Sequence, residues 1–306
     1  MDHSTIDLSR KCKREDPAIL TMTVSAERCF VCDETVESAS DRCLTCGADV
    51  GAPNVRAATT SAEINALQAR YDDAIHRAKA RGAGDTLSAF EKALASSSAV
   101  VNCSLYFLRE FVSKSNELYA NYHRTVQSGV RKAAGPDRDQ ERTVVDAILF
   151  RSYASSICCA ALSLNGQGLL SYGPYALRLR NIAVANRSSV LEENSFDFVD
   201  RHKLGAKTPI PMGYRSDWAS RGKLAVAKLA DLIDVGPQKG GFSQLLLKSN
   251  GDRSEDQFME VHIFGTFDFS AVECITGPVP KKAIDAAVWD SVKEIVVALG
   301  KRVEEY

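Results

Sequence analysis

Four cysteines fall in two Cys-x-x-Cys pairs, Cys29-Phe30-Val31-Cys32 and Cys43-Leu44-Thr45-Cys46, with ten residues between them. In each pair a tight turn lets two thiolates reach one tetrahedral ion. Gly47 follows the second pair, where backbone amides commonly turn towards sulfur. Cys29, Cys32, Cys43 and Cys46 together supply the ligand set of a closed structural zinc site, which keeps no open position for catalysis. A redox Cys-x-x-Cys pair is the competing reading, and the duplication argues against it. Such a ribbon is either a docking module for nucleic acid or protein, or a staple for a segment too short to fold alone. The spacing leaves both open.

The second chemical stretch runs from Asp256 to Gly265. Apolar and polar positions alternate, so Phe258, Glu260, His262 and Phe264 share one face of a strand, with Met259, Val261 and Ile263 on the other. A carboxylate between aromatic rings is costly to desolvate unless it has a partner or a task. The alternative is an edge strand with one solvated face.

The rest of the chain must position these two groups. Its 306 residues suffice for two or three small domains, and 45% hydrophobic with 25% charged residues argues against disorder. A formal net charge of -1 predicts neither nucleic-acid nor membrane binding from bulk charge. Met1 to Asp16 is polar, without the apolar run of a secretory signal, and no apolar stretch is long enough to span a bilayer. A cytoplasmic location is expected, where thiols stay reduced, so the nine cysteines are read as ligands or core residues. Adjacent Cys158 and Cys159 read as small core residues, and His76 and His123 as surface or satisfied core histidines.

Residues 48–60 read as a linker. Ser61 reads as a helix N-cap; Ile64, Leu67, Tyr71, Ile75 and Ala78 recur at helical spacing, and Arg81-Gly82 closes the helix. Leu87, Phe90 and Leu94 predict a second helix, and a third is predicted from about residue 100 to 131. Ala133 to Asp139 breaks the pattern and is the main expected boundary. Beyond it, Val144 to Phe150 is apolar and predicted to end in a strand, followed by Arg151-Ser152-Tyr153 and a short helical stretch from Ser155 to Leu164. Asn165 to Tyr175 is a glycine-rich loop that lacks both the Walker ending and the Rossmann glycine spacing. Ala176 to Leu179 alternates as a strand. Helices are predicted from Ser220 to Asp234 and, strongly amphipathic with Trp289 as an anchor, from Ala283 to Val303. Tyr214, Arg215 and Trp218 combine a cation with aromatics, as a packed loop or a base-stacking surface does.

Four of these parts, in order, resemble the ADP-ribosyltransferase superfamily, especially its compact bacterial toxin-like branches. They are Leu149-Phe150-Arg151-Ser152-Tyr153, Gly168-Leu169-Leu170-Ser171-Tyr172-Gly173-Pro174-Tyr175, Arg187-Ser188-Ser189 and Glu260-Val261-His262-Ile263-Phe264-Gly265. The resemblance covers the C-terminal half only. The residues themselves give a zinc ribbon with a flexible N-terminus over residues 1–56 and a helical connector or bundle over 57–135, so that with the resemblance an α+β protein is expected. Over 136–306 the resemblance implies a catalytic domain built as a split β-sandwich with flanking helices. NAD, the substrate, would lie in the cleft. Arg151, with Ser152 and Tyr153 beside it, would hold its phosphates or nicotinamide ribose, as suits a guanidinium fork. Tyr172 or Tyr175 would stack on the nicotinamide, and Ser188 and Ser189 would bond around the ribose. Arg187 would be a structural turn residue or a phosphate clamp. Glu260 would accept the ribose 2′-hydroxyl and stabilise the cationic sugar.

Family members that modify protein arginines carry Glu two residues before the catalytic Glu, and related ones carry Gln; this chain has Phe258 there, with Gln257 one place further off. Together with Arg151 in the first motif, this shifts the expected acceptor from arginine side chains towards a nucleic acid, RNA or DNA. The toxin-like resemblance further implies a toxin or phage-defence role with an antitoxin or chaperone partner. Alternatives are a non-catalytic zinc-ribbon binding module, an NAD hydrolase, or an RNA 2′-phosphotransferase on the same fold.

Overall fold

The computed structural model describes residues 27–114, 117–119 and 136–306. The cysteine ribbon comes first. Antiparallel bridges between Arg28 and Thr35 and between Arg42 and Asp49 each close one knuckle. Its core is only Cys29, Cys43 and Val36, too little to fold on apolar burial alone. Helix α1 (Pro53–Ala58) opens with a proline in its first turn, where the missing N–H has no helical partner to lose. Helix α2 (Ser61–Ala80) is capped by Thr60, one residue before the expected Ser61; the Thr60 hydroxyl accepts from the Glu63 N–H. Helix α3 (Gly84–Leu94) buries Leu87, Phe90 and Leu94, as the periodicity predicts.

The long third helix expected from about 100 to 131 does not form. Ser98–Cys103 is strand β1 and Leu105–Ser113 is helix α4, started by Ser104, whose hydroxyl accepts from the Phe107 N–H. Ala99-Val100-Val101 is buried without interruption, and β-branched residues buried on both sides suit a central strand. Leu118–Tyr119 is strand β2. His123 and the start of the boundary expected at 133–139 lie outside the described residues.

Helix α5 (Pro136–Phe150) takes in the run expected to end in a strand, and a 3-10 turn follows over Arg151–Ser156. Ile157–Ser163, expected to be helical, is strand β3. Its apolar run is short and nearly all buried, and periodicity cannot tell such a run from a buried helix turn. Then come β4 (Tyr175–Leu179), α6 (Asn181–Val184), β5 (Ser188–Leu191), α7 (Ser195–Arg201) and β6 (Arg215–Asp217). Helix α8 (Arg221–Leu229) passes into a 3-10 turn, Ala230–Leu232, and is followed by α9 (Gly241–Leu246), β7 (Glu260–Phe264), β8 (Phe267–Asp268) and β9 (Val272–Gly277). Helix α10 (Ala283–Ala298) stops short of the expected Val303. Gly300 turns the chain with φ of 70°, and Val303 joins strand β10 (Arg302–Glu305).

The strands form one eight-stranded ladder, β10-β9-β4-β1-β3-β7-β5-β6, and a separate β2–β8 pair. All neighbours are antiparallel except β9 and β10. The class is therefore mixed α+β. Strand β1 lies between β3 and β4, so the stretch expected to be an all-helical connector supplies a central strand, and the expected break near residue 135 does not divide the sheet. Among the described residues no helix is long and apolar enough to cross a membrane.

Strand β7 keeps the predicted alternation. Met259, just before the strand, and Val261 and Ile263 within it are fully buried in the main core with α3 and α8, each contributing about 1.5–3 kcal/mol. On the opposite face Phe264 and the β7-paired residues Ile157 and Leu191 meet Val145, Leu149 and Phe150 of α5 and Phe198 of α7. That second layer covers Glu260 and His262, which are only 3% and 4% exposed. The solvated-edge reading of the strand is thereby excluded.

Candidate functional site

The ribbon cysteines converge. Cys29 Sγ stands 3.6 Å from Cys46 Sγ and Cys32 Sγ 3.5 Å from Cys43 Sγ, and all four sulfurs lie within 4.8 Å of one another. Zinc–sulfur bonds of about 2.3 Å in a tetrahedron separate sulfurs by roughly 3.8 Å, so the set is compatible with a structural zinc ion. The N–H groups of Cys46 and Thr45 turn towards Cys43 and lower its thiol to about 6, whereas burial and the crowded neighbouring thiols push Cys32 up to about 12 and raise Cys46. Arg56 of α1 ties the ribbon down, donating to Glu27 at 2.6 Å, to the Ser40 carbonyl at 2.8 Å and to the Gly51 carbonyl.

Glu260 opens β7, and its Oε2 accepts two hydrogen bonds from Ser195, from the N–H at 2.7 Å and from the hydroxyl at 2.5 Å. Ser195 is the first residue of α7, so its N–H is one that the helix itself leaves unpaired. His262 Nε2 lies 3.3 Å from Ser195 Oγ and 3.6 Å from Glu260 Oε2, and Phe150 packs edge-on against the imidazole at 4.7 Å. Cys159 on β3 is the cross-strand partner of His262. Arg142 of α5 reaches Cys159, donating to its Sγ at 2.9 Å and to Asp146 at 2.9 Å.

Burial alone would raise the Glu260 carboxyl. The adjoining His262, the charge of Arg142 and the Ser195 hydroxyl more than reverse this and bring it to about 2. The group is an ionised carboxylate at neutral pH. Burial and the Glu260 charge push the Cys159 thiol well up, so it is a neutral thiol, in keeping with its expected place in the core. Cys159, Glu260 and His262 also bring three ligand atoms within 4.8 Å, but the Arg142 guanidinium already occupies the sulfur and opposes a cation there.

The residues expected around Glu260 divide into two groups. Tyr172 is 39% exposed beneath the Arg253 guanidinium, 4.3 Å above its ring, and lies close enough to Glu260 to feel its charge. Ser189 pairs with His262 across β5 and β7, and its hydroxyl accepts from Asn54 at 3.2 Å. Tyr153 lines a narrow cleft with Asn54, Ser189, Arg215 and His262. The others stand apart. Tyr175 is buried in the main core, 4.8 Å from Trp289. Ser188 is fully buried opposite Ile263. Arg187 spends its guanidinium on the carbonyls of Ala183, Phe264 and Thr266 at 2.7–2.9 Å, which makes it a structural clamp. Arg151 is exposed at a helix end with φ of 50°, not at a strand end, and Ser152 lies 3.2 Å from Ser38 of the ribbon.

Ser195, Arg142 and Asn54 were not anticipated. Asn194-Ser195 before an apolar run is a helix-start signal, and Asn194 does cap α7 by accepting from the Phe196 N–H at 2.8 Å. Nothing local marks Arg142 or Asn54. Neither a protein-family model nor a curated protein matches this chain.

Proposed function

We propose that the protein is an NAD-dependent ADP-ribosyltransferase with Glu260 as its catalytic carboxylate and the ribbon as a structural zinc module. The supporting observation is Glu260 itself, a buried carboxylate held ionised by Ser195, His262 and Arg142 at the head of a central strand. Such a group stabilises positive charge far better than one in water. In this reading Glu260 accepts the 2′-hydroxyl of the nicotinamide ribose. The C1′–N bond breaks with its electron pair leaving on nicotinamide, and the carboxylate stabilises the cationic sugar until an acceptor attacks C1′. The split-sandwich topology and the NAD cleft belong to the same proposal, as does a toxin or phage-defence role with a neutralising partner. The Tyr172–Arg253 stack favours a nucleic-acid acceptor, because a half-exposed ring under a guanidinium is a surface on which a base stacks.

A second reading, a non-catalytic binding module, is favoured by the same carboxylate's 3% exposure and by the two hydrogen bonds that Ser195 gives its Oε2. Incubation with NAD decides between them. Nicotinamide release by the wild type, lowered about 10²-fold or more in Glu260→Gln, supports the enzyme; no release and no NAD binding by wild type rejects it. Mass spectrometry of added RNA, DNA and protein separates transfer from hydrolysis and from 2′-phosphate removal.

A further inference from the structure

We propose that the ribbon is a metal-dependent strap across the cleft that leads to His262. The segment between its two knuckles touches both walls of that cleft. One wall is helix α1. Its Arg56 spends the guanidinium on the ribbon, donating to the Ser40 carbonyl at 2.8 Å, the Glu37 carbonyl at 3.3 Å, the Gly51 carbonyl and the Glu27 carboxylate. Asn54, two residues earlier and 3% exposed, donates to the His262 carbonyl at 2.8 Å and to the Arg187 carbonyl and Ser189 hydroxyl at 3.2 Å. The other wall is the 3-10 turn Arg151–Ser156, where the Ser152 hydroxyl lies 3.2 Å from that of Ser38. Residues 37–40 thus hold both α1 and the turn that carries Tyr153.

The strap is releasable because an ion held by the four cysteines is what folds it. A core of Cys29, Val36 and Cys43 is too small to do so, and loss of the ion unfolds the ribbon. The carbonyls of Glu37, Ser40 and Gly51 then leave Arg56, and Ser38 leaves Ser152. Helix α1 has only six residues, too few to persist as a helix without such anchors. With the ribbon in place, the cleft between Asn54, Tyr153, Ser189, Arg215 and His262 has room of about 20 Å³, little more than one water molecule needs. Nothing larger reaches His262 through it. Once the strap is released, α1 and the 3-10 turn part, and His262 becomes accessible with Ser195 and Glu260 behind it. The strands stay paired, because β7 is bonded to β3 and β5 without help from the ribbon. Of the two roles that the knuckle spacing leaves open, these contacts favour the staple, and they make it a staple that sets access to the Glu260 cluster whatever its substrate.

The test is labelling of the full-length protein with diethyl pyrocarbonate, read at His262 by peptide mass spectrometry, with the exposed His76 as internal standard. In the zinc-loaded wild type His262, 4% exposed, is expected to label about tenfold or more slowly than His76. Chelation of the zinc should raise the His262 rate about tenfold or more with the urea midpoint unchanged. Arg56→Gln should do the same while zinc content stays full. Ser38→Ala should raise the rate about twofold, and it keeps the ties under test if Arg56→Gln binds no zinc. A His262 that labels as fast as His76 in the loaded protein overturns the proposal, as does one that stays slow after chelation. So does a rise on chelation that neither variant reproduces with full zinc, or one that comes only with a lowered urea midpoint.

Discussion

The protein holds two clusters of ionisable side chains built in opposite ways. The ribbon gathers four sulfurs from an eighteen-residue span, at the surface, around a core of three residues. The Glu260 cluster gathers Arg142 from α5, Cys159 from β3, Ser195 from α7 and His262 from β7, nearly all of it buried. In the ribbon little else is buried, so a metal held by the four sulfurs would create the local fold. In the sheet the fold creates the cluster, since Glu260 is ionised only because distant elements bring donors and cations to it. A ribbon of the first kind is a separable module; a cluster of the second kind is as stable as the whole domain.

Metal removal should expose this contrast most strongly. Strong chelation, or Cys29→Ser/Cys43→Ser, is expected to open residues 27–51 to proteolysis while urea unfolding of the sheet changes little. Concerted loss of both would break the comparison. The next effect in size is acid sensitivity. The Glu260 carboxyl sits at about 2 when folded against an ordinary 4.5, so its contribution to stability is fully present above about pH 4.5 and is lost as pH falls towards 2. That contribution is on the order of 3 kcal/mol, and urea titrations of Glu260→Gln should lack that limb of the wild-type pH profile.

Ser195→Ala is expected to cost about 1.5–3 kcal/mol, because it removes a donor from a buried charge while leaving the N–H in place. It should also move the Glu260 acid limb to higher pH; an unshifted limb would mean that His262 and Arg142 suffice. The smallest effect is expected of Arg187→Lys. Losing part of a fork bound to three carbonyls costs about 1 kcal/mol, and under the proposed activity the KM for NAD should not change. A large rise in KM with stability intact would restore Arg187 to the substrate site.

The alternation of β7 was readable because its two faces differ in chemistry, Met259-Val261-Ile263 against Glu260 and His262. β1 and β3 were not readable as strands, because runs such as Ala99-Val100-Val101 and Ile157 to Leu162 are buried almost throughout and carry no period-2 signal. The expected division near residue 135 failed for the same reason: once β1 is read as helix, its place between β3 and β4 cannot be foreseen. Tyr175 and Arg187 have side chains suited to a ligand site, but their partners, Trp289 and the Phe264 carbonyl, lie 114 and 77 residues away.

By itself the sequence determined what short-range geometry can dictate. This comprises four sulfurs paired in two knuckles and a carboxylate with an imidazole two residues along the same strand face. Only the tertiary structure decided that this face is covered, that Ser195 and Arg142 close on Glu260, and that Arg187 is committed to carbonyls. Spacing along the chain fixes which side chains share a face. Whether a buried charge persists depends on donors supplied across the fold, and those follow from how helices α5 and α7 pack over the sheet.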